Sequence, residues 1–246
     1  MIERTIEIAS PDGTIDGFLY SDPSGAPKPG VIKLIDIGGI RDSNRAAALR
    51  LAEQGFTVLL PNVFYRSGRS PLFSSPFVFG EEKTMKRLGE LASPLTPATY
   101  ERDASIYVDY LATQPSVRTG SLGVVGYCFT GGFALRVAAA RPDKIAVAAS
   151  FHGGRLFQDS ETSPHRVLPR VKARLYFGHA IKDNSMPQEA IDKLNEALSA
   201  WGGRYESVVY DGALHGWTHT DSAVYNETQA ERAFAELTKL LHEELG

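Results

Sequence analysis

The sequence predicts an α/β fold in which a mostly parallel sheet carries helices on both faces. The first observation is alternation, because short apolar runs follow one another along the chain and helical patterns lie between most of them. The second is the start of the chain. Residues 2–8 alternate apolar and polar, and the turn sequence SPDG leads to a second strand near residues 14–20. This pair predicts an antiparallel start to the sheet.

The remaining elements follow from apolar runs and from helix start signals. Six further strands are predicted at residues 31–37, 56–60, 122–127, 145–151, 173–178 and 205–210. Helices are predicted from about Ser43, as the cap, to Gln54, from Thr96-Pro97 onward, and from about Asn226 to Glu244. In parallel sheets of this kind the chemistry collects at the carboxyl ends of the strands, so that edge is where functional residues are expected.

Composition restricts the class of protein. The chain has 246 residues and is 43% hydrophobic, which suits one domain over residues 1–246 with a sizeable core. A net charge of −3 gives no electrostatic reason to expect nucleic acid or an anionic membrane as a partner. The charged start and the lack of a long apolar run predict a cytoplasmic protein without a membrane span.

The single cysteine, Cys128, lies where the predicted strand 122–127 turns directly into a helix. The sequence there is GYCFTGG. A turn this sharp strains the backbone, so small neighbours are needed: Gly126 avoids a clash, and Gly131 and Gly132 let the helix lie close to the sheet. The helix N-terminus favours a thiolate. We therefore predict a nucleophile elbow with sulfur, and the alternative is a buried structural cysteine.

A nucleophile of this kind needs a histidine base and an orienting acid, in the chain order nucleophile, acid, histidine. Asp183 follows the strand predicted at 173–178, and His215 follows the strand predicted at 205–210. Both would therefore lie at the same edge of the sheet as Cys128. His152, His165, His179 and His242 are predicted to be structural or solvated.

These motifs resemble the dienelactone hydrolase family: GYCFTGG, GHAIKDNSMP, GALHGW, and LIDIGG after the third strand. The resemblance covers nearly the whole chain. It implies a single α/β-hydrolase domain without metal or organic cofactor that hydrolyses enol-lactone or ester bonds. On this resemblance Cys128 is the nucleophile, Asp183 the acid and His215 the base. The backbone N–H groups of Ile37 and Phe129 would form the oxyanion hole.

The sequence departs from the family pattern at three positions. Asp36 stands where the family has a glutamate near the thiol, Thr130 where the elbow has its second glycine, and His219 where an arginine helps to bind a substrate carboxylate. The candidate substrate-binding residues are His219, Lys86, Arg87 and Trp217. Because histidine is only partly cationic near neutral pH, we expect neutral or bulkier esters to be accepted at least as well as carboxylated ones. Any preference for a carboxylate should fade as the pH rises.

The predicted reaction is acyl transfer to sulfur. His215 takes the proton of the thiol, or already holds it in an ion pair, and the thiolate attacks a carbonyl carbon. Water then hydrolyses the acyl-thioester that forms. The expected partner is a small-molecule ester or lactone. The protein is expected to be a monomer or a homodimer. Two alternatives remain open: a hydrolase of thioesters or neutral esters, and a non-catalytic binding or regulatory protein on the same scaffold.

Residues 62–98 lack a regular period and are rich in proline, serine and glycine. The aromatic residues in this segment are Phe64, Tyr65, Phe73, Phe77 and Phe79. Two interpretations are equally supported. The segment either forms a wall or lid of the substrate pocket, or it packs as a small satellite core under a long loop.

Overall fold

A computed structural model describes residues 1–73 and 80–246, so the predictions for Phe77 and Phe79 lie outside the described residues. Within that part of the chain, eight strands form one sheet. The strands are β1 (Ile2–Ser10), β2 (Gly13–Ser21), β3 (Gly30–Lys33), β4 (Thr57–Pro61), β5 (Leu122–Tyr127), β6 (Ile145–Phe151), β7 (Arg174–Lys182) and β8 (Tyr205–Leu214). The α-helices are α1 (Asp42–Glu53), α2 (Glu82–Ala92), α3 (Pro97–Ala112), α4 (Gly131–Ala140), α5 (Gln188–Trp201) and α6 (Glu227–Leu245).

The strand order is β1-β2-β4-β3-β5-β6-β7-β8. The pairs β1–β2 and β2–β4 are antiparallel, and the other neighbours are parallel. This confirms the predicted sheet with its antiparallel start. Right-handed crossovers place α1 on one face of the sheet and α3, α4 and α5 on the other. The last helix, α6, returns to the face of α1, where Arg50 pairs with Glu231 at 2.6 Å.

The central strand β5 places the candidate nucleophile. All six of its residues are buried, because β5 lies between β3 and β6 and has helices on both faces. Its apolar side chains anchor it in the core, and the chain leaves the sheet at Cys128. The thiol is therefore held at the carboxyl edge of the sheet by the best-packed part of the fold.

The third strand is shorter than predicted. It ends at Lys33 rather than at residue 37, and the apolar Leu34 and Ile35 continue as a fully buried loop. In that loop the N–H of Gly39 donates to the carbonyl of Asp36 at 3.3 Å, which closes a turn. A buried loop and a buried strand need the same apolar residues, so hydrophobicity alone cannot separate them.

One predicted helix start is confirmed by the structure and another is not. Helix α1 begins at Asp42 after Arg41, which caps it without a side-chain hydrogen bond, so the prediction of Ser43 as the cap is wrong. Helix α3 begins as predicted, since Thr96 Oγ1 accepts a hydrogen bond from the N–H of Thr99 at 3.2 Å. None of the helices in the described part of the chain has the length and apolar character needed to cross a membrane.

Segment 62–98 contains more regular structure than the sequence indicates, because helix α2 lies within it. Phe64 and Tyr65 are buried in the main core, and Phe64 stacks on Phe129 with ring centroids 5.7 Å apart. Phe73 is half-buried against the same core. These aromatic residues therefore pack mainly as an extension of the core.

Candidate active site

The backbone at Cys128 has the geometry of the predicted elbow. The residue follows β5 directly, opens a short 3-10 turn (Cys128–Thr130) that leads into α4, and has φ of 52°. That left-handed conformation strains a residue with a side chain, by about 1–2 kcal/mol. Gly126 is required here, since a Cβ at this position would lie 2.2 Å from the Thr130 carbonyl oxygen.

Thr130 ties the elbow to the neighbouring loop. Its buried Oγ1 donates to the carbonyl of Ile35 at 2.5 Å and accepts from the N–H of Tyr127 at 3.1 Å. The two predicted oxyanion donors, Ile37 and Phe129, lie on the two segments that this hydroxyl joins. Sequence reasoning missed this role. The signal for it was a hydroxyl residue at a position where the resembled family has glycine.

The structure brings together the three residues of the predicted triad. Asp183 follows β7 directly and His215 follows β8 directly, so both lie at the carboxyl edge of the sheet near Cys128. His215 Nε2 lies 3.1 Å from Cys128 Sγ, and His215 Nδ1 lies 2.6 Å from Asp183 Oδ2. A continuous chain of hydrogen bonds therefore runs from a buried carboxylate through an imidazole to the thiol.

Ser185 fixes the carboxylate of Asp183. Its backbone N–H and its hydroxyl both donate to Asp183 Oδ1, at 2.8 Å and 2.6 Å. The other oxygen, Oδ2, remains directed at His215. No role was predicted for this residue from the sequence, although an aspartate followed two positions later by serine is a common side-chain-to-backbone turn.

The electrostatics favour a charged imidazole. Burial alone would lower the pKa of His215, but hydrogen bonds with Asp183 and Cys128 outweigh burial and raise it to about 10. Burial would raise the pKa of Asp183, and the hydrogen bond from His215 outweighs that effect, so its pKa lies below the usual value. At neutral pH the site therefore holds an imidazolium against a carboxylate, with the Nε2 proton facing the sulfur. This arrangement places a proton donor 3.1 Å from the sulfur.

Asp36 is buried and belongs to an ion cluster that reaches the surface at Asp221. Its carboxylate accepts hydrogen bonds from Arg41 Nη1 at 2.5 Å and Nη2 at 2.8 Å. The same guanidinium bonds Asp221 through Nε at 2.5 Å and Nη2 at 3.1 Å. Two carboxylates therefore share the charge of Arg41. Proximity of Asp36 to the thiol stays a prediction, since the hydrogen bonds of its carboxylate go to Arg41.

The structure places both His219 and Trp217 in buried surroundings. His219 is only 5% exposed, with Nε2 3.3 Å from Asp36 Oδ2. Burial lowers the pKa of His219 to about 4 against the charge of Asp36, so the expectation of a partly cationic residue near neutral pH is wrong. Trp217 is fully buried and stacks on Tyr210. Both side chains are buried in the structure, and contact of either with a substrate stays a prediction.

Lys86 and Arg87 lie on helix α2. Lys86 is exposed, whereas Arg87 pairs with Glu90 at 3.2 Å and donates to the Ser67 carbonyl at 3.4 Å. A substrate-binding role for Lys86 and Arg87 stays a prediction.

A cleft of about 550 Å³ lies beside the loop that carries Ile37. Gly38, Ile40 and Arg41 line it from that loop, and Leu72 and Phe73 line it from segment 62–98. This segment therefore contributes to a pocket wall as well as to the core. Among the described residues no group of three or more His, Cys, Asp or Glu side chains is placed to hold a metal ion.

A parallel sheet whose central strand ends in a strained cysteine elbow, with histidine and aspartate supplied by the ends of two other strands, defines an α/β-hydrolase. The sequence pattern described as "Dienelactone hydrolase family" matches residues 15–245. The chain belongs to the dienelactone hydrolase family, and it is an ester or lactone hydrolase.

Individual relatives agree with this assignment. The chain is 29% identical over 210 residues to a carboxymethylenebutenolidase of Rhodococcus opacus, a match that covers 81% of this chain and 74% of the relative. Two solved structures share the fold. One is a dienelactone hydrolase-like promiscuous phosphotriesterase from metagenomic libraries, with a TM-score of 0.83, 20% identity, and coverage of 100% of this chain and 99% of the other. The other is a dienelactone hydrolase from Anabaena variabilis, with a TM-score of 0.66, 20% identity and the same coverage.

Proposed function

We propose that this protein hydrolyses neutral esters or lactones, with Cys128 as the nucleophile, His215 as the base and Asp183 as the orienting acid. The observation that carries the proposal is the hydrogen-bond chain of 2.6 Å and 3.1 Å that ends on a sulfur at a strained elbow. The raised pKa of His215 supports the same roles, because it keeps a proton available beside the sulfur.

The proposed reaction has two halves. In the first, Cys128 Sγ attacks the carbonyl carbon, a C–S bond forms, and the charge that moves to the carbonyl oxygen is received by the N–H groups of Ile37 and Phe129, each worth about 3 kcal/mol. His215 then gives its Nε2 proton to the leaving alkoxide. In the second half, His215 takes a proton from water, the water oxygen attacks the thioester, and Cys128 leaves as a thiolate.

The charge at the site supports a neutral substrate. Among the described residues beside the cleft, Arg41 is shared between two carboxylates and His219 is buried and uncharged. A substrate carboxylate would therefore find no unshared cation at the position where the resembled family has an arginine. If the substrate enters the cleft beside the Ile37 loop, Leu72 and Phe73 offer apolar contacts to an uncharged acyl or alkyl group. Arg41, Asp42 and Asp221 also line that cleft, and none of the triad side chains is among its described lining residues.

The acyl-thioester intermediate can be trapped directly. With an activated aryl ester of a bulky acid, which deacylates slowly, we expect rapid acid quenching to leave one acyl group on the peptide that contains Cys128. Intact-mass and peptide mass spectrometry measure the adduct, hydroxylamine should remove it, and a Cys128→Ala protein should show none. Steady turnover without any adduct, unaffected by alkylation of the cysteine, would contradict the proposal.

The pH dependence tests the substrate charge. The comparison uses kcat/KM for an ester that carries a carboxylate and for its methylated, neutral counterpart, at pH 6 and pH 8. His219 loses its proton near pH 4, below this whole range, so the ratio of the two kcat/KM values should stay constant within about twofold. The neutral ester should be hydrolysed at least as well. A carboxylate preference that is strong at pH 6 and fades by pH 8 would show that a histidine does bind the substrate.

A further inference from the structure

A second cavity lies on the other side of β5 from helix α4, between the sheet and helices α1 and α6. Its volume is about 150 Å³. Its apolar lining includes Ala47, Leu51, Phe151, Ala233 and Leu237. Ala46 and Thr220 at its rim are exposed, so the cavity can be reached from solvent. As far as the described residues show, none of the three triad side chains lines it.

Three basic side chains line this largely apolar space: Lys33, Arg50 and His219. Lys33 of β3 lines the cavity, is only 1% exposed, and its Nζ has no hydrogen-bond partner among the described residues. The ammonium lies 4.8 Å from the centroid of the Tyr127 ring. Burial lowers the pKa of Lys33 to about 8 against the charge of Asp36, so at neutral pH most molecules carry the cation. A buried ammonium without a hydrogen-bonded anion is strongly unfavourable.

The neighbouring charges do not supply that anion. Asp36 bonds Arg41 instead of Lys33. Arg50 at the rim is paired with Glu231 and lies over the ring of Phe234 at 3.8 Å. The cavity therefore combines an apolar wall, a balanced ion pair at its rim, and a lining lysine whose buried ammonium has no hydrogen-bond partner within the described residues.

We propose that this cavity is a binding site for a small monocarboxylate whose apolar body is about the size of a benzene ring. The ammonium of Lys33 would hold the carboxylate, and the alanine and leucine side chains of α1 and α6 would enclose the body. The size follows from volume, since an engineered apolar cavity of about 150 Å³ in another protein binds benzene. The charge follows from Lys33, because an ammonium shielded from water binds a carboxylate far better than a neutral group.

Binding of benzoate tests the site independently of catalysis. The protein is first alkylated with iodoacetamide at Cys128, its only cysteine, so that the elbow is blocked. Isothermal titration calorimetry with sodium benzoate should then show saturable binding at one site. The neutral isostere benzamide should bind at least about tenfold more weakly, which corresponds to about 1.4 kcal/mol. Absence of saturable benzoate binding, or equal binding of the two compounds, would overturn the proposal and leave a cavity that holds only water.

Two variants locate the binding within the cavity. Lys33→Met keeps the length of the side chain and removes the charge, so benzoate should lose at least tenfold in affinity. Lys172→Met, at an exposed lysine, is the matched control and should change nothing. Ala47→Phe fills the cavity while Lys33 stays charged, and it should weaken benzoate and benzamide alike. Benzoate binding that survives Ala47→Phe would place the site elsewhere, a result that stands even if Lys33→Met does not fold.

Discussion

Cys128→Ala is expected to reduce kcat/KM for every ester substrate by at least about 10⁴-fold, because it removes the only sulfur nucleophile and leaves water as the attacking group. The fold should be retained. Alanine meets the same left-handed backbone cost as cysteine, and the packing of β5 and α4 does not depend on the sulfur. Kinetics with an activated aryl ester and circular dichroism of the same preparation measure the two effects.

Two matched variants sharpen this test. Cys128→Gly should be equally inactive but more stable than Cys128→Ala by roughly 1 kcal/mol in urea unfolding, since glycine adopts φ of 52° without strain. Cys128→Ser should retain only weak activity, because an alcohol is a much weaker acid than a thiol and must lose its proton to His215 as it attacks. Unchanged turnover in a homogeneous Cys128→Ala preparation would refute the proposed nucleophile.

The sequence predicted the sheet edge well, for a physical reason. Strands β5 and β6 have the predicted bounds, because each is a largely apolar run that is almost entirely buried. Once those strands are placed, Cys128 must lie at the carboxyl edge, and Asp183 and His215 follow from the ends of β7 and β8. Local signals were enough to predict residues that meet only in the folded chain, since parallel strands bring their carboxyl ends to one edge.

The surroundings of the site were not predictable in this way. Arg41 bonds Asp221 across 180 positions of sequence, and His219 is buried against Asp36. No local pattern separates a histidine that faces a substrate from one that faces a buried carboxylate, and the difference decides its charge. The surroundings of Lys33 were equally unpredictable. A lysine inside an apolar strand does not indicate from sequence whether its buried ammonium will have a hydrogen-bond partner in the fold.

His215→Ala should reduce kcat/KM about as much as the loss of the cysteine, because the members of a triad act as a unit. The loss should depend on the leaving group. An alkyl ester needs the Nε2 proton of His215 on its departing oxygen, whereas an aryl ester leaves without one, so the alkyl ester should lose more. Asp183→Asn should lose less than His215→Ala, since the imidazole keeps its contact with the sulfur but loses the bond that orients it.

The matched control is His219→Gln, which replaces a buried, uncharged imidazole in the same loop by a side chain of similar size. Because the His219 imidazole lies beside Asp36, with Nε2 3.3 Å from the carboxylate, and makes no hydrogen bond to the sulfur among the described residues, this variant should lose stability but keep most of its kcat/KM. Added imidazole should partly restore the His215→Ala enzyme and leave His219→Gln unchanged. If His219→Gln proved as damaging as His215→Ala at equal folded fraction, or if the alkyl and aryl esters lost activity equally in His215→Ala, the assignment of His215 as the proton donor would be wrong.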